Sequence, residues 1–202
     1  MRHAADLDAL LRALDLTGVS LVGHSMGTGE ITRYIGKYGT ARLRKALLIG
    51  TLGPYLVKAP DNPEGVDPEV FEGIRSGLRG DRAATLRGFL KNFYSVDGTE
   101  GERVSERVIA TNWTVAINTS PIGTLACVST WLEDFRQDII RNDVPTLIIH
   151  GDDDRILPAE VTSKRQANLI KDVKAIEIKG SSHGIPWTHA EEINAELMKL
   201  LL

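Results

Sequence analysis

The sequence predicts an α/β domain in which a mostly parallel sheet is covered by helices on both faces. Short apolar runs, typical of buried strands, alternate with segments of helical spacing near both ends of the chain. Residues 55–143 lack that strand pattern, and a connection of this length is too long for a simple crossover. We therefore expect a core formed by residues 1–54 and 144–202, with an inserted helical cap formed by residues 55–143.

The composition is that of an ordinary globular protein. The chain has 202 residues, 42% of them hydrophobic, and a formal net charge of −3, which excludes a basic surface of the kind that binds nucleic acid. No apolar run reaches the ~18 residues that cross a bilayer, and the first residues carry charge where a secretory signal is apolar. The single Cys127 is typical of a reducing compartment. We therefore expect a cytoplasmic protein without nucleic-acid or membrane partners.

Residues 1–54 are predicted to form a helix, a strand, a helix and a strand. The spacing over residues 4–16 favours an amphipathic helix, with a core-facing side formed by Leu7, Leu10, Leu11 and Leu14. The apolar, β-branched run Val19–Val22 predicts a strand. The next helix is expected to end at Gly39, a left-handed cap, and Ala46–Ile49 predicts the second strand.

Four helices are expected within residues 55–143. An N-cap side chain followed by a first-turn proline begins two of them, at Asp67-Pro68 and at Ser120-Pro121. Asp81 caps the second helix, and the third runs from about Ser105 to Ile117.

The alternation of strands and helices returns after residue 143. The runs Val144–Ile149 and Val173–Ile178 predict strands, and Val161–Ile170 between them predicts a helix. Thr188 and Glu191 have the spacing of a capping box at the start of the last helix. Strands that alternate with helices in this way indicate parallel pairing.

The segment Gly23-His24-Ser25-Met26-Gly27 has the pattern of a nucleophile elbow. It follows a predicted strand and opens a predicted helix, which is the context that this pattern requires. Larger side chains at Gly23 and Gly27 would collide with the neighbouring strand and helix. The turn places the Ser25 hydroxyl at the positive end of a helix, where an oxyanion is stabilised. An ordinary turn between strand and helix is the alternative.

A nucleophilic serine needs a base, and the base needs a carboxylate that orients it. In parallel sheets such residues lie just past the carboxyl ends of the strands. The loop after the third predicted strand contains Asp152, Asp153 and Asp154, and the loop after the fourth contains His183. Spacing alone leaves the choice among the three aspartates open. A metal site in this cluster is disfavoured, because no second ligand group lies at a recognisable spacing.

Other reactive side chains have ordinary structural interpretations. His24 is expected to face away from the serine, and His150 to be packed or hydrogen-bonded at a strand end. His189 is expected in the first turn of the last helix, and His3 on the surface. Cys127, in mid-helix, is expected to be a small buried residue. Three tryptophans are candidates for an acyl pocket, although such residues are more often part of a core: Trp113, Trp131 and Trp187.

The chain resembles the α/β-hydrolases and is similar to the cofactor-free bacterial haloperoxidases, also called perhydrolases or arylesterases. The resembling segments are Val22–Glu30, Asp61–Gly65, His150–Asp152 and Ser182–Gly184. The family pattern Gly-x-x-Asp-x-x-x-Pro assigns Asp154 as the acid, with Asp152 and Asp153 as turn residues that bond nearby amides. Phenylalanine is common in the family where this chain has His24.

The resemblance implies serine esterase chemistry on small esters or carboxylic acids, without a cofactor or a metal. The triad would be Ser25, Asp154 and His183, and the Met26 amide would be one oxyanion donor. Hydrogen peroxide would replace water in a second reaction, giving a peracid that oxidises halide outside the enzyme. The second function class left open is a non-catalytic or inactive fragment that retains the scaffold.

The resemblance also implies that four strands precede the helix with which this chain starts, together with a loop that carries the second oxyanion donor. On this interpretation the strand Val19–Val22 has an uncovered apolar edge. We therefore expect a chain that associates into homo-oligomers and is a weak catalyst.

Overall fold

The computed structural model describes residues 3–96 and 104–202. The strands are β1 (Val19–His24), β2 (Leu43–Ile49), β3 (Thr146–Gly151) and β4 (Val173–Ile178). The helices are α1 (His3–Ala13), α2 (Met26–Tyr38), α3 (Pro68–Arg79), α4 (Arg82–Tyr94), α5 (Glu106–Ile117), α6 (Pro121–Trp131), α7 (Arg136–Ile139), α8 (Ser163–Ala167), α9 (Ile185–Thr188) and α10 (Ala190–Leu201).

The strands form one parallel sheet in the order β1-β2-β3-β4. The register pairs His24 with Ile49, Ile49 with Ile149 and Gly151 with Ile178. The carboxyl ends of the strands are therefore aligned along one edge of the sheet, where the loops that follow β1, β3 and β4 come together. The predicted parallel α/β architecture is confirmed.

Alternate residues of the central strands pack into two different apolar clusters. Ala46 and Leu48 of β2 belong to the cluster that also contains α1 and α2 residues, whereas Leu47 and Ile49 contact the cluster that includes Ile193 of α10. Because side chains alternate between the faces of a strand, this division shows that helices cover both faces of the sheet.

β1 lies at the edge of the sheet and, in the described part of the chain, pairs only with β2. Val22 is 51% exposed there, while Val19 and Leu21 pack against the core. The apolar edge expected from the sequence is thus present in this structure. Association into homo-oligomers stays a prediction.

The described part of the chain between β2 and β3 is mainly helical, as the sequence predicts, but it contains five helices, α3 to α7, where four were expected. Three of them begin at the expected caps. The Asp67 carboxylate accepts a hydrogen bond from the Glu69 amide, and Asp81 accepts one from Ala84, both at 2.9 Å. The Ser120 hydroxyl accepts one from the Gly123 amide at 3.1 Å. The division into core and cap at residues 55 and 143 stays a prediction.

α1 buries only part of the predicted face, because Leu7 and Leu11 pack into the core but Leu10 and Leu14 do not. Its buried residues are Ala4, Asp8 and Leu11, whereas Leu10 and Leu14 are exposed. Two facts explain the difference: the helix ends at Ala13, before Leu14, and an ion pair with Arg12 at 2.8 Å compensates the buried Asp8 carboxylate.

Two predictions near the end of the chain are wrong. The helix expected over Val161–Ile170 is only Ser163–Ala167. The amides of Val161, Thr162 and Leu169 on either side of it donate to carbonyls three residues earlier, at 3.2, 3.3 and 3.0 Å, so these flanks form tighter turns instead of α-helix. The capping box is absent in this described segment, because α10 begins at Ala190 with His189 in the N-cap position.

Gly39 ends α2 with a φ of 76°, as predicted. No described helix is long and apolar enough to cross a membrane.

Candidate active site

Ser25 lies in a strained turn between β1 and α2. Its φ of 55° is rare for a residue with a side chain, and its amide donates to the Ile49 carbonyl at 2.9 Å. A Cβ atom on Gly23 would lie 2.8 Å from Ile31 Cδ1, which confirms the steric reason for that glycine. A Cβ on Gly27 would meet no atom within 4 Å, so the same prediction is wrong there. The turn is close-packed on the Gly23 side only.

The side chains predicted as nucleophile, base and acid are in continuous contact. Ser25 Oγ lies 2.8 Å from His183 Nε2, and His183 Nδ1 lies 2.7 Å from Asp154 Oδ2. Both His183 and Asp154 are buried. Three loops at the carboxyl edge of the sheet, after β1, β3 and β4, therefore bring together residues that are far apart in sequence.

Asp154 is surrounded by N–H donors. Its Oδ1 accepts from the amides of Ile156 and Leu157, at 3.0 and 2.8 Å, while Oδ2 faces His183 Nδ1 and lies 3.3 Å from His150 Nε2. Burial alone would raise the pKa of Asp154, but the hydrogen bonds from His150 and His183 outweigh burial and hold the pKa well below its usual range. The carboxylate is therefore ionised at neutral pH.

The neighbouring aspartates differ from Asp154 in exposure and in partners. Asp152 Oδ1 accepts from the Gly180 amide at 2.6 Å, which confirms its predicted role as a turn residue. Asp153 does not have that role, because its exposed carboxylate pairs with Arg155 Nε at 3.3 Å. No group of three or more potential metal ligands occurs among the described residues.

His150 is packed and hydrogen-bonded, as predicted. Its Nε2 lies 2.7 Å from the Leu157 carbonyl, and its Nδ1 lies 3.2 Å from the Thr51 amide nitrogen. A carbonyl only accepts and an amide N–H only donates. His150 is therefore the neutral tautomer that carries its proton on Nε2, and it fixes the loop that contains Asp154.

His24 has a contact that the sequence analysis did not predict. Its ring lies beside that of His183, with 5.0 Å between centroids, and its Nε2 lies 3.0 Å from the His183 carbonyl oxygen. Burial and the neighbouring His183 lower the pKa of His24 to about 4. The neutral His24 ring therefore donates to the backbone of His183. Phe93 of α4 meets the His183 ring edge-on, at 4.9 Å.

The remaining histidines and Cys127 lie elsewhere. His3 is exposed, as predicted, and His189 is buried with its Nδ1 2.9 Å from the Thr188 hydroxyl. Cys127 is a half-buried free thiol on α6. None of these residues is placed beside Ser25 in the contacts of the described chain.

Met26 is the first residue of α2, so its amide lies at the positive end of that helix. Its sulfur lies 3.2 Å from the Thr130 hydroxyl, which donates to it from α6. The role of the Met26 amide as an oxyanion donor stays a prediction.

A cavity of about 310 Å³ opens beside Ser25. Most of its lining is apolar and comes from the helices and loops above the sheet, including Leu52, Leu56, Val70, Phe71, Phe89 and Trp131. Besides Ser25, the polar lining residues are Thr85, Asn92 and Arg155. A volume of this size is at the lower end of the roughly 300–1,000 Å³ that is typical of small-molecule sites. The geometry can present an apolar carbonyl compound to a hydrogen-bonded serine.

Of the three tryptophans, only Trp131 lines this cavity. Trp187 is exposed, and Trp113 Nε1 donates to the Ala83 carbonyl at 2.9 Å. Phe89 and Phe93 are site residues that were not predicted from the sequence. Their signal is the four-residue spacing on α4, which puts both aromatic rings on one side of that helix.

Comparison with known proteins agrees with this geometry. Residues 1–190 match the protein family described as the alpha/beta hydrolase fold. The chain is 52% identical over 198 residues to a Synechocystis protein whose name assigns it to the non-heme chloroperoxidases, covering 98% of this chain and 72% of that protein.

The bifunctional esterase/perhydrolase of Acinetobacter calcoaceticus is 32% identical over 203 residues, covering 98% of this chain and 72% of the relative. The crystal structure of a bromoperoxidase from Bacillus anthracis superposes with a TM-score of 0.93 at 43% identity, covering 98% of this chain and 72% of that one. From the family match and these identities, the chain belongs to the α/β-hydrolase family.

Proposed function

We propose that this protein is a serine hydrolase that cleaves small esters through an acyl-enzyme. The observation that carries the proposal is the continuous contact Ser25–His183–Asp154, at 2.8 and 2.7 Å, beside an apolar cavity. Ser25 is the nucleophile, His183 is the general base and Asp154 orients the histidine.

The hydrogen bonds support one tautomer of His183. The ionised Asp154 can only accept, so Nδ1 carries the proton and Nε2 presents a lone pair to the Ser25 hydroxyl. When Ser25 Oγ attacks the ester carbonyl, its proton moves to His183 Nε2. The buried carboxylate of Asp154 stabilises the imidazolium that forms.

The tetrahedral oxyanion would receive a hydrogen bond from the Met26 amide at the start of α2. Collapse of this intermediate expels the alcohol, which takes the proton from His183 Nε2. Water then attacks the acyl-Ser25 carbonyl with His183 again as base, and the carboxylic acid leaves. The serine hydroxyl is regenerated by the proton returned from His183.

Hydrogen peroxide is proposed as an alternative to water in the second half of the reaction. One peroxide oxygen attacks the acyl-enzyme carbonyl, the bond to Ser25 Oγ breaks, and the product is a peracid with its O–O bond intact. The peracid then oxidises halide in solution and is itself reduced to the carboxylic acid. This step is supported by the name of the Acinetobacter relative, a bifunctional esterase/perhydrolase.

A fluorophosphonate probe tests the proposal, because it labels only an activated serine. We expect the parent chain to be labelled and to hydrolyse p-nitrophenyl acetate. Ser25→Ala should lose the label and about 10⁴-fold or more in kcat, whereas Ser76→Ala on the exposed surface of α3 should retain both. An unlabelled and inactive parent would favour the non-catalytic scaffold. A Ser25→Ala rate within about tenfold of the parent rate would mean that Ser25 is not the nucleophile.

A further inference from the structure

A second cavity of about 410 Å³ lies between α3, α4 and α6. Its wall is formed by helical residues and by the turn that precedes α6, including Leu78, Leu86, Gly123, Thr124 and Cys127. Unlike the cavity beside Ser25, it takes no lining residue from the sheet or from the loops that carry the triad. It is therefore a separate chamber within the helical part of the described chain.

The two cavities share one wall. Ile74, Thr85, Phe89 and Trp131 line both of them, and the Phe89 and Trp131 rings are stacked with 6.3 Å between centroids. Both aromatic side chains are only half-buried. These two rings therefore form the partition that a ligand reaching from Ser25 into the second chamber has to pass.

The second chamber has the chemistry of a site for an apolar chain. Its polar side chains are the hydroxyls of Thr85, Thr119, Ser120 and Thr124. Thr119 and Thr124 lie 3.0 Å from each other and accept from Arg82, at 3.0 and 3.3 Å. Thr85 donates to the Asp81 carbonyl at 2.7 Å, and Ser120 accepts from the Gly123 amide at 3.1 Å. These oxygens already have partners, so the rest of the wall offers a ligand mainly aliphatic and aromatic surface. Charged ligands would lose hydration there without compensation.

We propose that the second chamber binds the far end of a long apolar chain whose ester carbonyl lies at Ser25. This inference rests on the proposed hydrolase function and extends its substrate class from the smallest esters to esters whose alkyl or aryl arm is long enough to reach the second chamber. Each methylene buried there should raise kcat/KM by about fourfold. The arm belongs either to the acyl group or to the alcohol, and the two ester series below distinguish these sources.

Cys127→Phe is the decisive variant, because residue 127 lines the second chamber but not the first. A phenyl ring there would fill the space that the chain end needs. Ala126→Phe is the matched control, since Ala126 is exposed on the same helix and lines neither cavity. Gly123→Leu fills the same chamber from another position of α6.

The kinetic experiment compares p-nitrophenyl acetate with p-nitrophenyl octanoate, and ethyl acetate with octyl acetate. In the parent, kcat/KM should rise with chain length in one of the two series. Cys127→Phe and Gly123→Leu should lower the ratio of long-chain to short-chain kcat/KM by about tenfold or more, and Ala126→Phe should leave the ratio unchanged. If the ratio of long-chain to short-chain kcat/KM is the same in the parent, in Cys127→Phe and in Gly123→Leu, the proposal is overturned.

Calorimetric binding of decanoate separates this proposal from the hydrolase function. Decanoate should bind the parent and Ala126→Phe at least about tenfold more tightly than Cys127→Phe. If decanoate shows this pattern but no ester is hydrolysed, binding of an apolar chain in the second chamber is supported and the hydrolase function is refuted. Equal decanoate affinity in the parent and in Cys127→Phe would refute the chamber, whatever the hydrolysis rates.

Discussion

The loops that carry Asp154 and His183 and the helices that form the cavities are built in opposite ways. Asp154 faces four N–H groups, and His183 is fully buried between Asp154 and the rings of His24 and Phe93. The cavity helices contribute mainly apolar surface, and some of it, such as Val70, is 51% exposed. Directional hydrogen bonds hold the triad loops in place, whereas the cavity helices contribute only shape and apolar area.

The end of α4 connects these two regions. The Phe93 carbonyl accepts from the Gly184 amide, next to His183, and the Ser95 hydroxyl donates to the Asp153 carbonyl, next to Asp154, both at 2.8 Å. One turn earlier, Phe89 is part of the wall shared by the two cavities. α4, which helps to shape the cavities, is thus hydrogen-bonded to the backbone of both triad loops. These bonds hold the cavity at a fixed position relative to the triad.

Among the variants that compare the triad loops with the cavity helices, the largest effect is expected in the acid loop. Asp154→Asn should lower kcat for ester hydrolysis by about 10³–10⁴-fold, because an amide cannot hold His183 in the tautomer that accepts the serine proton. Asp153→Asn should change kcat by less than about threefold, because it removes only an exposed ion pair with Arg155. Steady-state kinetics on both purified variants, with unchanged circular dichroism as the folding control, makes this comparison.

Equal losses in Asp154→Asn and Asp153→Asn would break the assignment of the acid. They would also contradict the contrast between the two regions, since an exposed carboxylate would then matter as much as a buried one with four donors. A loss confined to Asp154→Asn sharpens the contrast.

The sequence identifies those features whose cause is local. The strained turn at Ser25 needs only five residues and the strand and helix beside them, and the caps at Asp67 and Asp81 need only one helical turn. Parallel strand alternation then places His183 at the same edge of the sheet as Ser25. These predictions concern residues whose neighbours in space are also neighbours in sequence, or follow from strand order alone.

Tertiary contacts account for what the sequence does not reveal. Spacing could not separate Asp154 from Asp153, because the difference lies in distant donors such as His183 and in burial. The contact between His24 and the His183 backbone joins positions 159 residues apart. Likewise, helical periodicity finds α3, α4 and α6 but not the angles between them, so the cavities they enclose were not predictable.

A smaller effect is expected from His24, which borders the polar region. Its pKa of about 4 is below the ordinary 6.5, so between these pH values the unfolded chain binds a proton that the folded chain does not. The free energy of unfolding should therefore decrease as the pH falls from 7 to 5, with a His24 contribution of up to about 1.4 kcal/mol per pH unit below 6.5. His24→Phe removes this group and should flatten the decrease.

Urea unfolding of the parent and of His24→Phe at pH 7 and pH 5 measures this difference. Asp154, whose pKa is lowered by folding, also stabilises the folded chain. That stabilisation is fully present above the ordinary carboxyl pKa of 3.8 and is lost only as the pH falls below this value. It therefore does not interfere in this window. Parallel pH profiles for the two proteins would mean that His24 binds its proton at the same pH in the folded and the unfolded chain, so that its pKa is not lowered by folding.

The smallest expected effect is in the cavity wall. Val70→Ala removes two methyl groups from a half-exposed side chain that lines the Ser25 cavity, and should raise KM by about two- to fivefold with kcat unchanged. Val115→Ala, at an exposed position on α5 that lines neither cavity, should change neither parameter. A wall that only provides apolar area binds the ground state and the transition state alike, so its loss appears in KM. A fall in kcat with KM unchanged would instead mean that Val70 contacts the reacting group in the transition state, and the helices would then share in the chemistry that the polar loops are proposed to perform.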